Sequence, residues 1–483
     1  MTKALNRREM LFSAGGLLTA MAARAQTSAP STSPIMTRLS TFMSSAANAS
    51  LPPEVVEKTK HMILDTLAAM ISGSELPPGR FAINFARANQ GDRIATVAGS
   101  RILCGPMEAA LVNGMLAHSD ETDDSHPPSQ SHPGCSTIPA ALASGERFNI
   151  GGRQFLRAVT LGYDIGTRVT ATLGRLEYMA ESHRSTYAIC GTFAAAAAAG
   201  CAASLNAQQV RWMLSYAAQQ ASGLASWQRD TEHVEKAFDF GGMAARNGVT
   251  AALLVQAGGT GVGDIFSGTD NFFDAFMPKN DPAMVIDKLG ERYEIMRTNV
   301  KKWTVGSPIQ APLDALESLM KKNGFQPDQV KQIIVRVATT EAKIVDNREI
   351  PDISMQHLMA VMLVDKTVSF KSAHDIARMK DPEILRQRAK VRLIGTEELE
   401  RRMPTRVGEV EVTLNDGKSF SQRVDNVRGT SENPMTRDEV IAKARDLITP
   451  VLGAATFSKL IAKVFDIENV KSVLELRPLL QKA

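Results

Sequence analysis

The sequence predicts a mainly α protein: a large all-helical domain, with a smaller α+β lid domain inserted before the C-terminal helices. Three observations predict it. Apolar residues recur at helical spacing through much of residues 37–299, and no strand-period segment of any length precedes residue 290. β-Branched alternation then begins, most plainly over Gln332-Ile-Ile-Val-Arg-Val-Ala338. Helical periodicity returns after Pro434. A chain of 483 residues also suits two domains.

The front end reads as a targeting segment. Lys3, Arg7 and Arg8 precede a short apolar run from Leu11 to Ala22, and Ala23-Arg24-Ala25 has the form of a cleavage site. Asn6-Arg7-Arg8-Glu9-Met10-Leu11 fits a twin-arginine export signal, which makes residues 1–25 a signal peptide and the periplasm the expected location. A disordered basic tail is the plainer alternative. A reporter that must fold before crossing, fused to residues 1–36, should reach the periplasm. Arg7→Lys with Arg8→Lys should stop it, and cytoplasmic retention of the unmodified fusion would refute the reading. Residues 26–36, rich in Ser, Thr, Ala and Pro, read as a linker.

The helical domain, 37–299, follows. Val55, Ile63, Leu64, Leu67 and Ile71 mark a helix entered after Pro52-Pro53. Met107 to Ala117 gives the next. A short helix is expected from Pro139 to about Ala143, with proline in its first turn. Further helices are expected over 155–170, 192–203, 207–222 and 242–256. Gly258-Gly-Thr-Gly261-Val-Gly263 follows a helix rather than a strand, so it reads as a helix cap and turn instead of a phosphate loop. The lid, 300–428, holds strands at 332–338 and 390–394 and a hairpin, 408–414 with 419–424, turned by Asn415-Asp416-Gly417. Helices are expected between them at 312–321 and 372–378. Residues 429–483 are helical again, beginning with 437–448, and return to the first domain.

Composition excludes several roles. The formal charge is +4, and residues 1–25 carry four basic residues and one acid, so the remainder is near +1. No basic run is interleaved with aromatics, so a nucleic-acid partner is not expected. Cys104, Cys135, Cys190 and Cys201 are scattered without a C-x-x-C pair, which argues against an iron–sulfur cluster or structural zinc. The most apolar segment, Ala188 to Ala203, is alanine-rich and reads as a buried helix with close neighbours, not a membrane span.

Residues 118–134 carry the densest chemistry. Three of the eight histidines (His118, His126, His132) share this window with Asp120, Glu121, Asp123 and Asp124, and prolines break any long helix. A loop this polar is expected to line a wet cleft. Acids, imidazoles and hydroxyls at this density suit proton transfer. On residue type alone, His132 reads equally as a proton carrier or as a structural histidine bonding loop backbone, and Lys236 as a surface lysine.

The pattern His118-x-x-Glu-x-Asp-Asp-Ser, His132-Pro-Gly before an apolar helix, Gly162-Tyr163-Asp164, the His183 segment before an alanine-rich helix, Lys236 ahead of Gly242-Met-Ala-Ala, and Asn433-Pro434-Met435-Thr436 together resemble the MmgE/PrpD family. The resemblance spans roughly residues 37–455. It implies a helical domain with an α+β lid, a homodimer, no metal or redox cofactor, and a small carboxylate substrate. The reaction it implies is a lyase reaction of the 2-methylcitrate dehydratase type, by proton abstraction beside a carboxylate. Isomerase, epimerase or decarboxylase outcomes use the same enolate. A periplasmic carboxylate-binding protein without catalysis is the reading from another class.

The resemblance also implies roles. His132 matches the catalytic histidine. Among Glu121, Asp123, Asp124 and Ser125, one orients His132 and the others cap a helix or hold lysines. Lys236 matches the substrate-binding cation beside a helix N-terminus, and His183 a pocket histidine. Lys301 and Lys302 match the cationic start of the lid, where Thr304 replaces proline and a histidine is missing. His357 stands where some members have tyrosine.

Overall fold

The structure, a computed structural model, describes residues 32–277 and 281–482. The export signal and residues 26–31 of the linker lie outside the described residues. The end of that linker is corrected. Pro34–Ser45 forms α1, capped by the Ser33 hydroxyl on the Met36 amide, and Met36 is buried because it faces the core.

α2 (Pro53–Gly73) and α3 (Pro77–Ala88) lead to a two-residue antiparallel pair, β1 (Ala95–Thr96) with β2 (Leu103–Cys104). That pair is too short to show a period in sequence. α4 (Pro106–Ala117) is apolar on every side and buried, and it delivers the chain into the acidic loop. The loop exits into α5 (Gly134–Phe148). The short helix expected from Pro139 is corrected: α5 begins five residues earlier, and Pro139 sits inside it. α6 (Gly152–Ala171), α7 (Arg175–Ser182), α8 (Thr186–Ala202), α9 (Ala207–Gln220) and α10 (Val234–Ala237) follow. A π-helical turn, Phe238–Gly242, joins α10 to α11 (Met243–Gln256). Gly258 then takes φ +98°, and the Gly259 amide reaches back to the Leu254 carbonyl, so the glycine run is a helix terminus.

α8 is the central helix. α5, α6 and α11 pack around it, and its alanine run lets their backbones approach closely. Among the described residues no helix is long and apolar enough to cross a membrane.

Close backbone approach in the helical domain can be tested at Gly114. A Cβ on Gly114 in α4 would lie 2.4 Å from the Gly241 carbonyl oxygen in the π-turn. A mid-helix Gly→Ala change ordinarily stabilises by about 0.5–1 kcal/mol. Gly114→Ala should instead destabilise by about 1–3 kcal/mol, read as a lower urea midpoint. A midpoint at or above that of the unaltered protein would contradict this packing.

The lid has its own core. A four-stranded sheet has the order β4-β3-β5-β6, with β3 (Val330–Ala338) parallel to β4 (Val391–Thr396) and antiparallel to β5 (Gly408–Leu414), which pairs with β6 (Ser419–Val424). α12 (Gln310–Asn323) and α13 (Met355–Asp365) cover one face. Val410, Val412 and Leu414 point inward from β5 at every second position. The short helix α14 (Phe370–His374) follows α13 and faces the acidic loop. The chain then returns to the first domain through α15 (Arg437–Leu452), which packs on α2, and Val440, Leu447 and Leu480 join the helical core.

Candidate active site

The acidic loop lies where the lid meets the helical domain, and its polarity is handled differently from the sequence expectation of a wet cleft. His118, Asp123 and Asp124 are fully buried and His126 nearly so. Each finds charged or polar partners inside the protein, which offsets the cost of removing it from water.

Asp123 is the hub. One carboxylate oxygen lies 3.0 Å from His132 Nδ1 and the other 2.9 Å from His118 Nδ1. Burial pushes this carboxyl up, but the two imidazoles outweigh burial and hold it well below the usual carboxylate range. An ionised carboxylate only accepts, so both Nδ1 atoms carry hydrogen. Burial, partly countered by Asp123, lowers His132 to about 4, so the ring is neutral near pH 7. Its side chain is 10% exposed, and it opens into a cavity of about 230 Å³.

Glu121 holds the cations. The Lys236 ammonium bonds its carboxylate, and Lys301 donates to its backbone carbonyl at 2.7 Å while standing 3.7 Å from Asp123. Burial pushes Glu121 up, yet Lys236 and Lys301 draw it well below the usual range. Lys301 lines the cavity with His132; Lys236 lies behind, beside the rings of Trp227 and Phe240 at 5.4 and 5.3 Å. The Lys236 amide, in the short helix α10, donates to Asp230 at 2.9 Å.

Asp124 turns away from His132. It accepts from the Tyr163 hydroxyl and, at 3.2 Å, from the Gly134 amide that starts α5. Burial and the charge of Asp123 raise it to about 7. Ser125 exchanges backbone hydrogen bonds with Asn299 at 3.2 and 2.8 Å, stitching the loop to the segment that enters the lid, and it lines the cavity.

Three further expected residues stand elsewhere. His183 is exposed at the C-terminus of α7, in a left-handed conformation at φ +59°. Lys302 points onto the lid, pairing with Asp314 at 3.2 Å and Glu317 at 2.7 Å over the Trp303 ring. His357 is buried in α13 within the lid core, where neither ring nitrogen has a partner and burial lowers it to about 4. The period of α13 turns His357 into the apolar core of the lid.

The structure surrounds His118 and His132 with rings. His118 stacks on Phe240 at 4.3 Å, and Phe240 stacks on Tyr187 at 3.8 Å. Tyr187 lies 5.4 Å from the His132 ring and lines the cavity. Phe240 is presented by the π-turn, a feature that often marks functional sites. His233 packs 5.2 Å from His118. His118 heads the acidic motif in sequence; Tyr187, Phe240 and His233 carry no local signal there.

His118, Asp123 and Cys135 place donor atoms within 4.8 Å of one another. Both Asp123 oxygens already accept from imidazoles. Burial and the Asp123 charge push the Cys135 thiol well above its ordinary value, and it donates to the His132 carbonyl at 3.1 Å. A metal needs the thiolate, so this trio fits a hydrogen-bond network better than a metal centre. All four cysteines are free and buried.

The lid is tied to the loop by His374. From α14 it donates Nδ1–H to the Phe370 carbonyl at 2.7 Å and places Nε2 2.8 Å from Asp120, with Asp352 at 3.8 Å. With hydrogen on Nδ1 and two carboxylates beside Nε2, the ring is stabilised as imidazolium. Burial lowers its proton affinity, but the bond to Asp120 outweighs that and raises it to about 9 from 6.5. Because the folded value lies above the unfolded one, the contribution is full below pH 6.5 and is lost as pH rises through about 9. The urea midpoint should therefore fall between pH 6.5 and 9 by more in the unaltered protein than in His374→Gln. Parallel curves would contradict the contact.

The model of the MmgE/PrpD N-terminal domain matches residues 37–285, and that of the MmgE/PrpD C-terminal domain matches residues 303–467. The chain belongs to the MmgE/PrpD family. Its relatives include the cis-aconitate decarboxylase-like protein oryM of Aspergillus oryzae, 24% identical across 89% of this chain and 94% of the relative. The cis-aconitate decarboxylase of Aspergillus terreus is 24% identical across 91% and 94%, and that of Homo sapiens 25% across 89% and 91%. In this MmgE/PrpD chain the interval between the two matched domains supplies Asn299 and Lys301, so the junction itself builds one wall of the cavity.

Proposed function

We propose that the chain is a cofactor-independent lyase that removes carbon dioxide from a small unsaturated carboxylic acid of the cis-aconitate type, with His132 as proton carrier. One observation carries the reading. An imidazole whose inner nitrogen is fixed by a buried carboxylate opens its outer nitrogen into a cavity that Lys301 makes cationic. The names of the relatives favour decarboxylation over the 2-methylcitrate dehydration that the motifs alone suggest.

In the step, the bond from the carbon chain to one carboxylate carbon breaks and carbon dioxide leaves. The electron pair spreads over the adjacent alkene and its carboxylate, where Lys301 offsets the charge. The proton on His132 Nε2 passes to carbon, and solvent returns one proton per turnover. A polyanionic substrate beside the ring raises the proton affinity of His132, which lets it carry that proton. Asp123 keeps the ring oriented and stabilises the imidazolium.

One observation favours a second reading. Burial lowers His132 to about 4, which leaves its ring neutral near pH 7. A neutral imidazole suits a base that first removes a proton from carbon, giving dehydration or epimerisation. Incubation with cis-aconitate, followed by carbon dioxide trapping and proton NMR, separates the two. Carbon dioxide released in step with consumption of the acid supports decarboxylation. Altered acid without released carbon dioxide overturns it.

A further inference from the structure

The cavity beside His132 holds more positive charge than the acidic loop alone provides. Arg297, Lys301, Arg406 and Arg428 line it, against the acids Asp425 and Glu432. The four cations differ in what they have left to offer. Arg428 is fully engaged: Nε and Nη2 hold Glu439, and Nη1 donates to Asn433 at 2.7 Å. Lys301 is held by the Glu121 carbonyl at 2.7 Å. Arg297 shares the buried Glu294 with Arg292 and His126.

Arg406 is built differently. It sits in the lid, just before β5, and one Nη is fixed on Glu341, which is buried at 1% exposure. An anchored guanidinium loses little freedom on binding, and its other nitrogens keep the planar fork that matches a carboxylate. Its side chain is 33% exposed. Its charge is felt at Tyr187, whose ring lies 5.4 Å from His132. Burial raises the Tyr187 hydroxyl to about 12, so it stays protonated and able to donate. Thr405, beside Arg406, also lines the cavity.

We propose that Arg406, with Tyr187, receives a carboxylate of the substrate on the lid side of the cavity and selects tricarboxylates over dicarboxylates. The assignment rests on the carboxylate-lyase reading above. Lys301 answers charge near the reacting carbons, and Arg406 answers the carboxylate farthest from them. The lid thus supplies a specificity contact that the motifs of the helical domain do not contain.

The test is calorimetric titration of the full chain with two unreactive acids: tricarballylate, and methylsuccinate, which lacks one terminal carboxylate. The unaltered protein should bind tricarballylate at least about tenfold more tightly. Arg406→Gln should weaken tricarballylate by about tenfold or more and methylsuccinate by less than about twofold. Arg406→Lys keeps the ion pair to Glu341 but loses the fork, so it should weaken tricarballylate about three- to fivefold; this variant carries the test should Arg406→Gln fail to fold. Equal weakening of both acids, or none, overturns the assignment. If the unaltered protein binds both acids equally, only the assignment falls. If it binds neither, the lyase reading falls with it.

Discussion

His132→Ala is expected to lower kcat by about 10²–10⁴-fold while leaving the fold intact. The ring is the one imidazole in the cavity that is backed by Asp123. His126 lines the same cavity, but its nitrogens bond Ser129 at 2.7 Å and Glu294 at 3.2 Å. No second imidazole there is set up to take over. Activity within about threefold of the unaltered protein would remove His132 from the proton path.

Asp123→Asn is the second large effect, about 10²–10³-fold in kcat, for a reason that differs from loss of charge alone. The carboxylate accepts from two imidazoles at once. An asparagine amide can accept from one and must donate to the other. A ring that accepts at Nδ1 carries its hydrogen on Nε2, and the imidazolium that delivers the proton would then need a second hydrogen on Nδ1, against the amide N–H. The change should therefore show as a tautomer shift in the imidazole ¹⁵N spectrum of His118 or His132. Unchanged ¹⁵N shifts with unchanged kcat would show that Asp123 does not orient the pair.

The helical architecture and the lid were legible because their periods are long. Residues 408–414 and 419–424 form the hairpin as read, since strand alternation and an Asn-Asp-Gly turn coincide there. The start of α5 was not legible: its first turn is held by Asp124, ten residues earlier, and Pro139 looked like a beginning. Within the site, His132, Glu121 and Asp123 fall together because the loop is short and locally dense, whereas Lys301 reaches Glu121 from 180 residues away through the fold. His374 lies on a lid helix and meets Asp120 only through the fold, so nothing near it in sequence signals the contact. Arg406 is equally silent, one arginine among many until the lid brings it to the cavity. His183, Lys302 and His357 show the converse: matching a motif position fixes an element but does not fix which way its face turns.

Proton delivery by His132 is tested most directly in deuterated water. The unaltered protein and His132→Asn, both shown folded by circular dichroism, are incubated with cis-aconitate, and the products are read by proton NMR. The unaltered protein should place one solvent deuterium on carbon for each carbon dioxide released, and His132→Asn should place almost none. Deuterium entering carbon at the same rate in both proteins would contradict the account.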